Sequence, residues 1–422
     1  MTYQEMLDYF THVDMLGSHL GLTRMEELLA LLDSPQKRLK FIHVAGTNGK
    51  GSTSALLDAC LRQAGLRVGL YTSPHLVRYN ERFRINGEEV SDEALCAAAA
   101  RVKAAADTME DAPTQFELLT CVGFCCFEAA GCDIVVLEVG LGGRLDATNV
   151  IPAPEAAVIT RIGLEHTELL GDTLEKIAAE KAGIVKAGGT VVLGDHAEPV
   201  RRTVEEICRR RGARLIQAEE PAPLARSLEG QRFSWGRYPE VCLSLLGEHQ
   251  LQNAATALAV LEVLRERGWP IPDQAVLEGM AHAVWPGRFE CAETHPAIIV
   301  DGGHNPQCAQ AVAASLAAYF PGKKISFLMG VLADKDFRGI FDPIVPLAER
   351  IAAVTPDSPR ALPAAELCRK LAGEYGFTAA APYPNAAAAL AALRESVGPE
   401  DVICVCGSLY MIGEVRTLLG LA

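Results

Sequence analysis

A succession of short, nearly unbroken apolar runs, each followed by a helical pattern, limits what this chain can fold into. The first four are Phe41–Val44, Val68–Tyr71, Ile134–Val139 and Ala156–Thr160. None alternates polar with apolar residues, so both faces of each strand are expected to be covered. That is the pattern of a parallel sheet lying between helices. After Gly51, Leu56, Leu57, Cys60, Leu61 and Ala64 fall on one helical stripe that stops at Gly65. Thr23 with Glu26, Thr114 with Glu117 and Asp172 with Glu175 have capping-box spacing, and the first opens a helix expected over Thr23–Asp33. Asn86-Gly87, directly after Phe83-Arg84-Ile85, predicts a hairpin.

Prolines and a glycine interrupt this rhythm around Trp285–Pro296, and a second alternation follows. Its strands are expected at Ile298–Val300, Ile325–Gly330, Ile351–Val354 and Val402–Cys406, with Ala386–Leu393 favouring helix. A chain of 422 residues suits two or three domains. The net charge of −14 argues against nucleic acid or an anionic membrane as partner, since both require a basic face. Thirteen cysteines, an odd count with no CxxC pair, read as free thiols in a reducing compartment, so a cytoplasmic protein is expected. The start MTYQEMLDYF lacks the basic and apolar regions of a signal peptide, and no stretch combines the length and apolarity of a membrane span.

The most informative segment is His43-Val44-Ala45-Gly46-Thr47-Asn48-Gly49-Lys50-Gly51-Ser52-Thr53, which joins a strand to a helix. Glycines let several N–H groups converge, the helix start adds partial positive charge, and Lys50 supplies a point charge for phosphates. It departs from the common phosphate-loop pattern, with Val44 in place of the first glycine and Gly51 between Lys50 and the hydroxyl residues.

Ligands gather beyond the carboxyl ends of parallel strands, where Ser73, Glu138 and His166 are expected. A hydroxyl, a carboxylate and an imidazole beside a phosphate site suit a magnesium ion shared with ATP, although imidazole is an unusual magnesium ligand. The bland alternatives are Glu138 paired with Arg144, His166 satisfied in a loop, and Ser73 merely preceding Pro74. Leu174, Ile177, Lys181 and Val185 share a stripe, which predicts a desolvated amine at Lys181. Such an amine captures carbon dioxide as a carbamate, whereas the alternative is a snorkelling lysine.

Eight motifs in order resemble the Mur ligase superfamily over nearly the whole chain. They are AGTNGKGS at 45–52, TSPH at 72–75, LEVGLGGRLDATN at 137–149, IGLEHTELLGDT at 162–173, EKAGI at 180–184, WPGRFE at 285–290, DGGHNP at 301–306 and CGSLYMIGEV at 406–415. The resemblance is closest to the folylpolyglutamate and dihydrofolate synthase branch. It implies an α/β fold, with a phosphate-loop ATPase domain on a mostly parallel sheet over residues 1–290 and a smaller Rossmann-like domain over 291–422. It also implies ATP, magnesium, L-glutamate and a folate or dihydropteroate as small-molecule partners, and a monomer.

Carried onto this chain, the resemblance implies that Gly49, Lys50, Gly51 and Ser52 cradle the phosphates. Ser73, Glu138, His166 and a carbamylated Lys181 would hold metal. Asn253, Arg288 and Asp301 would hold the nucleotide, with His304 beside them as a catalytic group. Thr114, Gln115, Phe116, Glu117, Leu145, Asp146 and Ala147 would face the pterin, with Phe116 stacking and Asp146 accepting from ring N–H groups. Glu165 and Gly303 replace the usual aspartate and alanine. Ligases for UDP-linked muropeptides carry a whole domain before the phosphate loop, and the roughly 45 residues before Gly46 are too few for one. A phosphate-loop NTPase or kinase that forms no amide is the alternative reading.

Overall fold

The computed structural model describes residues 1–14, 21–194 and 196–421. Two compact units divide the chain. The first comprises Met1–Ala222, Trp235–Val241 and Gln252–Ala283; the second comprises Pro223–Ser234, Cys242–Leu251 and Val284–Ala422.

The first unit is built on an eight-stranded sheet. In chain order its strands are β1 (Phe41–Ala45), β2 (Val68–Tyr71), β3 (Phe83–Ile85), β4 (Glu88–Glu89), β5 (Ile134–Glu138), β6 (Ala156–Ile159), β7 (Thr190–Leu193) and β8 (Arg214–Gln217). They lie in the order β4-β3-β2-β5-β1-β6-β7-β8. All neighbours are parallel except β2–β3 and β3–β4, so the expected parallel core carries an antiparallel hairpin at one edge. Asn86 and Gly87 turn that hairpin with φ of 53° and 85°, as a two-residue turn of the primed type requires.

The expected apolar runs are all strands, and every residue of β1, β2, β5 and β6 is buried. The edge strand β8 has no fully buried residue, and its apolar signal is correspondingly weak. One apolar cluster joins the sheet to helices Tyr3–Asp14, Thr23–Leu31, Asp92–Ala106 and Gln115–Ala129; another joins it to Leu174–Lys181 and Glu198–Arg211. The sheet is thus covered on both faces.

Three local expectations needed correction. Helix Thr23–Leu31 starts after Leu22 without a side-chain cap, so Thr23 and Glu26 form no capping box, and the helix ends two residues early. The cap of helix Leu174–Lys181 is Thr173, which accepts from Lys176 N–H; Asp172 instead pairs with the Lys176 ammonium at 2.7 Å. Helix Lys50–Gln63 is buried all round from Ser52 to Leu61, not on one stripe. Helix Asp273–His282 covers its outer side, and Gly279 allows this, since a Cβ there would lie 2.4 Å from Cys60 Cα.

A three-stranded sheet of β9 (Ala222–Ser227), β10 (Gly230–Trp235) and β11 (Tyr238–Leu243) follows in sequence. The second unit contains β12 (Glu290–Thr294), β13 (Ala297–Val300), β14 (Ile325–Met329), β15 (Ala348–Ala353), β16 (Ala380–Pro382) and β17 (Val402–Cys406). Their order is β12-β13-β17-β14-β15-β16, parallel apart from β12. The alanine-rich segment is a helix, Ala386–Ser396, capped by Asn385 and packed through Ala386, Ala389, Leu390 and Leu393. Among the described residues no helix is long and apolar enough to cross a membrane.

Candidate active site

Strand β1 lies between β5 and β6, with Val44 opposite both Glu138 and Val158. Its carboxyl end therefore opens where strand order reverses, and the glycine-rich loop leaves from that point. The loop is tied to the exit of β6. Thr47 and Asn48 donate their N–H groups to Arg161 O at 2.8 and 3.1 Å. Thr47 Oγ1 donates to Gly163 O and accepts from Gly163 N–H, each at 3.1 Å. Gly46 is required by crowding, since a Cβ there would stand 1.8 Å from Thr160 Oγ1.

With the Thr47 and Asn48 amides so used, an anion is left the start of the helix, from Gly49 to Ser52. The first intrahelical bond here runs from Thr53 N–H to Gly49 O, so the Lys50, Gly51 and Ser52 amides form the opening turn. Gly49 has φ of 87°, and a Cβ on it would lie 2.3 Å from Asn253 Oδ1. Asn253, on helix Glu248–Glu266, thus lies against the phosphate loop.

Lys50 is half-buried, and its ammonium lies 3.9 Å from Glu138 Oε1 and 3.3 Å from Thr47 O. Glu138 ends β5, is buried, and accepts from Ser73 N–H at 3.2 Å. Lys50, Glu138 and Ser73 therefore meet. The pairing of Glu138 with Arg144 is not realised, because Arg144 binds Glu180 at 3.0 Å. His166 is exposed in the left-handed region at φ of 50°, on the loop that holds Thr47. Among the described residues no group of three His, Cys, Asp or Glu side chains gathers as a metal centre. The set expected here contains only two such side chains, Glu138 and His166, and relies on a hydroxyl and a modified lysine for the rest.

Lys181 closes helix Leu174–Lys181 and is 5% exposed. Its ammonium donates to Gly46 O at 2.8 Å, so it lies beneath the phosphate loop and does not snorkel. Burial, aided by the positive charge of Lys50, pulls its pKa down to about 7; Glu165 and Asp146 oppose this. A large fraction is thus neutral amine near neutral pH, the form that reacts with carbon dioxide. Gly143 lets the loop after β5 close onto this helix, since a Cβ there would come 2.7 Å from Lys181 O. The expected stripe ends with Lys181, as Val185 lies beyond the helix.

Among the residues expected to face a pterin, the capping box of Thr114 and Glu117 is formed. Glu117 is buried, and its Oε2 takes Thr114 N–H at 2.7 Å and Arg24 Nε–H at 3.1 Å, so its carboxylate braces the helix start. Phe116 is half-buried over Gly140, whose Cβ would lie 2.4 Å from Phe116 Cζ, and its ring is 6.2 Å from that of Tyr71. Gln115 donates to Phe10 O and to Tyr79 Oη at 3.1 and 3.3 Å. Leu145 is half-buried, whereas Asp146 and Ala147 are buried.

Asp146 is also tied into its own loop. Its oxygens take Leu141 N–H at 2.8 Å, Thr148 N–H at 3.0 Å and Thr148 Oγ1–H at 2.5 Å. With that hydroxyl proton committed, Thr148 accepts from His43 Nε2–H at 2.8 Å. Burial holds His43 neutral, with a pKa of about 3. Asp146 therefore braces the loop after β5, a role its motif position did not reveal.

Arg288, Asp301 and His304 belong to the second unit. Asp301 is buried and accepts Phe289 N–H at 2.7 Å and Gly303 N–H at 2.6 Å. Phe289 is held at φ of 46°, and Gly302 N–H returns to Gly287 O at 2.8 Å. Half-buried Arg288 lies against Gly302, whose Cβ would be 2.6 Å from Arg288 Nη1. Asp301 thus shapes the Arg288 turn, and Arg416 adds to it by binding Glu290, which accepts Gly287 N–H. A Cβ at residue 303 would approach Asp301 Oδ1 to 2.7 Å, so glycine suits this tight arrangement. His304 Nδ1–H donates to Gly302 O at 3.0 Å.

Sequence reasoning passed over three anchors, Thr47, Thr148 and Thr160, whose Oγ1 donates to Asn48 O at 2.9 Å, and over the cluster of His75, Tyr79 and Arg82. Thr47 and Thr148 lay within quoted motifs without their anchoring role being read, and in the cluster only His75, within TSPH, carried a motif signal.

Residues 44–261 match the Mur ligase middle domain, and residues 287–409 match the Mur ligase glutamate ligase domain. The dihydrofolate synthase/folylpolyglutamate synthase of Bacillus subtilis is 34% identical, with 99% of each chain covered. The protein of the same description from Escherichia coli is 34% identical over 98% of this chain and 94% of its own. Among solved structures, Mycobacterium tuberculosis folylpolyglutamate synthase complexed with ADP and AMPPCP superposes with a TM-score of 0.90, 32% identity and 98% of each chain covered. Escherichia coli FolC in complex with DHPP and ADP gives a TM-score of 0.88 at 32% identity, covering 98% of this chain and 97% of that one.

Proposed function

This chain belongs to the Mur ligase family, in its folylpolyglutamate synthase and dihydrofolate synthase branch, and we propose that the groups gathered around Lys50 carry out its amide-forming chemistry. It is an ATP-dependent ligase that adds L-glutamate to folates by forming a carbon–nitrogen bond. ATP and a divalent metal belong to this chemistry, as the nucleotide and manganese complexes of its relatives indicate. Tetrahydrofolate is the proposed acceptor, and dihydropteroate a second one that yields dihydrofolate.

The single observation that carries the site assignment is the meeting of Lys50, Glu138 and Ser73 at the end of β1, with the buried Lys181 amine below. In the proposed mechanism the pterin carboxylate attacks the γ-phosphorus of ATP. An acyl phosphate forms and ADP leaves; the glutamate amine then attacks the acyl carbon, forming the amide and releasing phosphate. Little covalent work falls to the protein, so positioning and neutralisation of charge dominate. The Gly49–Ser52 amides and Lys50 bind the phosphate chain, Asn253 the nucleotide, and Arg288 the γ-phosphate. Asp301 fixes the Arg288 turn, and His304 stands beside it. Phe116 supplies the stacking face for the pterin.

The donor set suits magnesium, a hard ion that keeps several waters. Ser73, Glu138, His166 and a carbamate on Lys181 would hold it, and the ion would neutralise phosphate charge. The buried, readily deprotonated amine of Lys181 supports the carbamate, which turns a nitrogen base into an oxygen ligand. We place the enzyme in the cytoplasm, a reading supported by thirteen free cysteines, and propose that it acts as a monomer.

Incubation of the purified protein with ATP, magnesium, glutamate and one pterin at a time tests this reading. The expected products are pterins heavier by one glutamate residue, with phosphate released only when glutamate and pterin are both present. Phosphate release without either, or phosphate passed to a hydroxyl, would instead favour an NTPase or kinase.

A further inference from the structure

We propose that Arg82 receives the carboxylate of the folate substrate that does not react, the α-carboxylate of its terminal glutamate, and so sets folates apart from pteroates. The inference rests on the ligase reading above and adds to it a residue that selects between acceptors.

Arg82 ends the turn Tyr79–Arg82 and leads into β3. Its carbonyl accepts Thr72 N–H at 3.1 Å, which sets it alongside the end of β2, next to Ser73. The guanidinium is fixed from two sides. Nε–H donates to His75 Nδ1 at 2.8 Å, and Cζ lies 5.6 Å from the centre of the Tyr79 ring. The His75 and Tyr79 rings are themselves 4.4 Å apart.

The nearby acid does not neutralise Arg82. Glu81 is occupied by the N–H groups of Leu76, Val77 and Arg78, each at 2.7 Å. Among the described residues Arg82 forms no ion pair, although it is only half-exposed. Arg78 and Arg84, on either side of it in the chain, both pair with acids. With Nε committed to His75, the two Nη groups remain as a fork of the kind that binds a carboxylate through paired hydrogen bonds.

Position decides which carboxylate. Tyr79 Oη accepts from Gln115, the neighbour of Phe116, whereas the backbone of Arg82 is bonded beside Ser73, which contacts Glu138. Arg82 thus falls between the stacking face and the phosphate site. The reacting carboxylate must keep its electron pairs for phosphorus, and a bidentate guanidinium would hold them. The other carboxylate exists only in acceptors that already carry glutamate. Dihydropteroate has none to offer.

The test compares wild type with Arg82→Met on tetrahydrofolate and on an analogue whose terminal glutamate is replaced by γ-aminobutyrate. The analogue keeps the reacting carboxylate and lacks the other. Wild type is expected to lose roughly 30-fold in kcat/KM on the analogue, the effect of one charge-assisted contact. Arg82→Met is expected to use both acceptors equally, at about the wild-type rate on the analogue, and Arg82→Lys to recover part of the loss through KM. Equal losses on both acceptors, or none on tetrahydrofolate, would overturn the proposal. If thermal unfolding shows Arg82→Met to be misfolded, Arg82→Lys replaces it, and an unchanged ratio between acceptors then counts against Arg82. A wild-type protein that makes no amide from any pterin overturns both readings.

Discussion

Lys50→Ala is expected to lower kcat for amide formation by about a thousandfold or more, and Glu138→Ala to do the same. Both side chains stand at the end of β1, 3.9 Å apart, where phosphate charge must be neutralised as it moves. Lys50 contributes little to the core, since it is half-buried and its closest partner is Thr47 O at 3.3 Å. Glu138 keeps the Ser73 amide when Lys50 is gone, so Lys50→Ala should cost at most about 2 kcal/mol of stability. Steady-state kinetics beside thermal unfolding separate the two effects. A folded variant within tenfold of wild type would refute the assignment.

Lys181→Met is expected to abolish activity while preserving the fold. Methionine fills a similar volume, and burying it avoids the desolvation that lowers the Lys181 pKa to about 7. The folded pKa lies below that of the unfolded chain, 10.5, so the unfolded state binds more protons between those values. The Lys181 contribution to stability therefore rises with pH across that window, and this slope should vanish in Lys181→Met. Carbon-13 bicarbonate supplies the chemical readout. Wild type should show a carbamate resonance that grows as pH is raised through about 7, where the amine loses its proton; the variant should show none. Full activity in Lys181→Met would remove the carbamate from the account.

The sheet order itself was not legible in the sequence, but its ingredients were. Runs such as Ile134–Glu138 are buried on both faces, so hydrophobicity alone marks them. Strands β7 and β8 and all of the sheet β9–β11 escaped notice; β8 to β11 are partly exposed and carry a mixed pattern that resembles loop, whereas β7 is a buried run of only four residues that was passed over. Caps were read less well. Thr173 was passed over for Asp172, since spacing gives the same signal one residue apart.

The site divides along the same line. Lys50, Lys181 and Glu138 announced themselves because a charged residue in an apolar or glycine-rich setting is costly and therefore conspicuous. Asp146, Glu117 and Asp301 were conspicuous too, yet their carboxylates brace neighbouring amides. Composition cannot separate an acid that meets a ligand from one that holds a loop; only hydrogen-bond partners do. Arg82 carried no signal at all, since its meaning lies in forming no ion pair among the described residues.

In the proposed mechanism a pterin carboxylate is activated by direct transfer of the γ-phosphoryl group. Oxygen-18 placed in that carboxylate tests it most directly. One labelled oxygen should appear in inorganic phosphate for each amide formed, detected by mass spectrometry. Amide formation with unlabelled phosphate would contradict it.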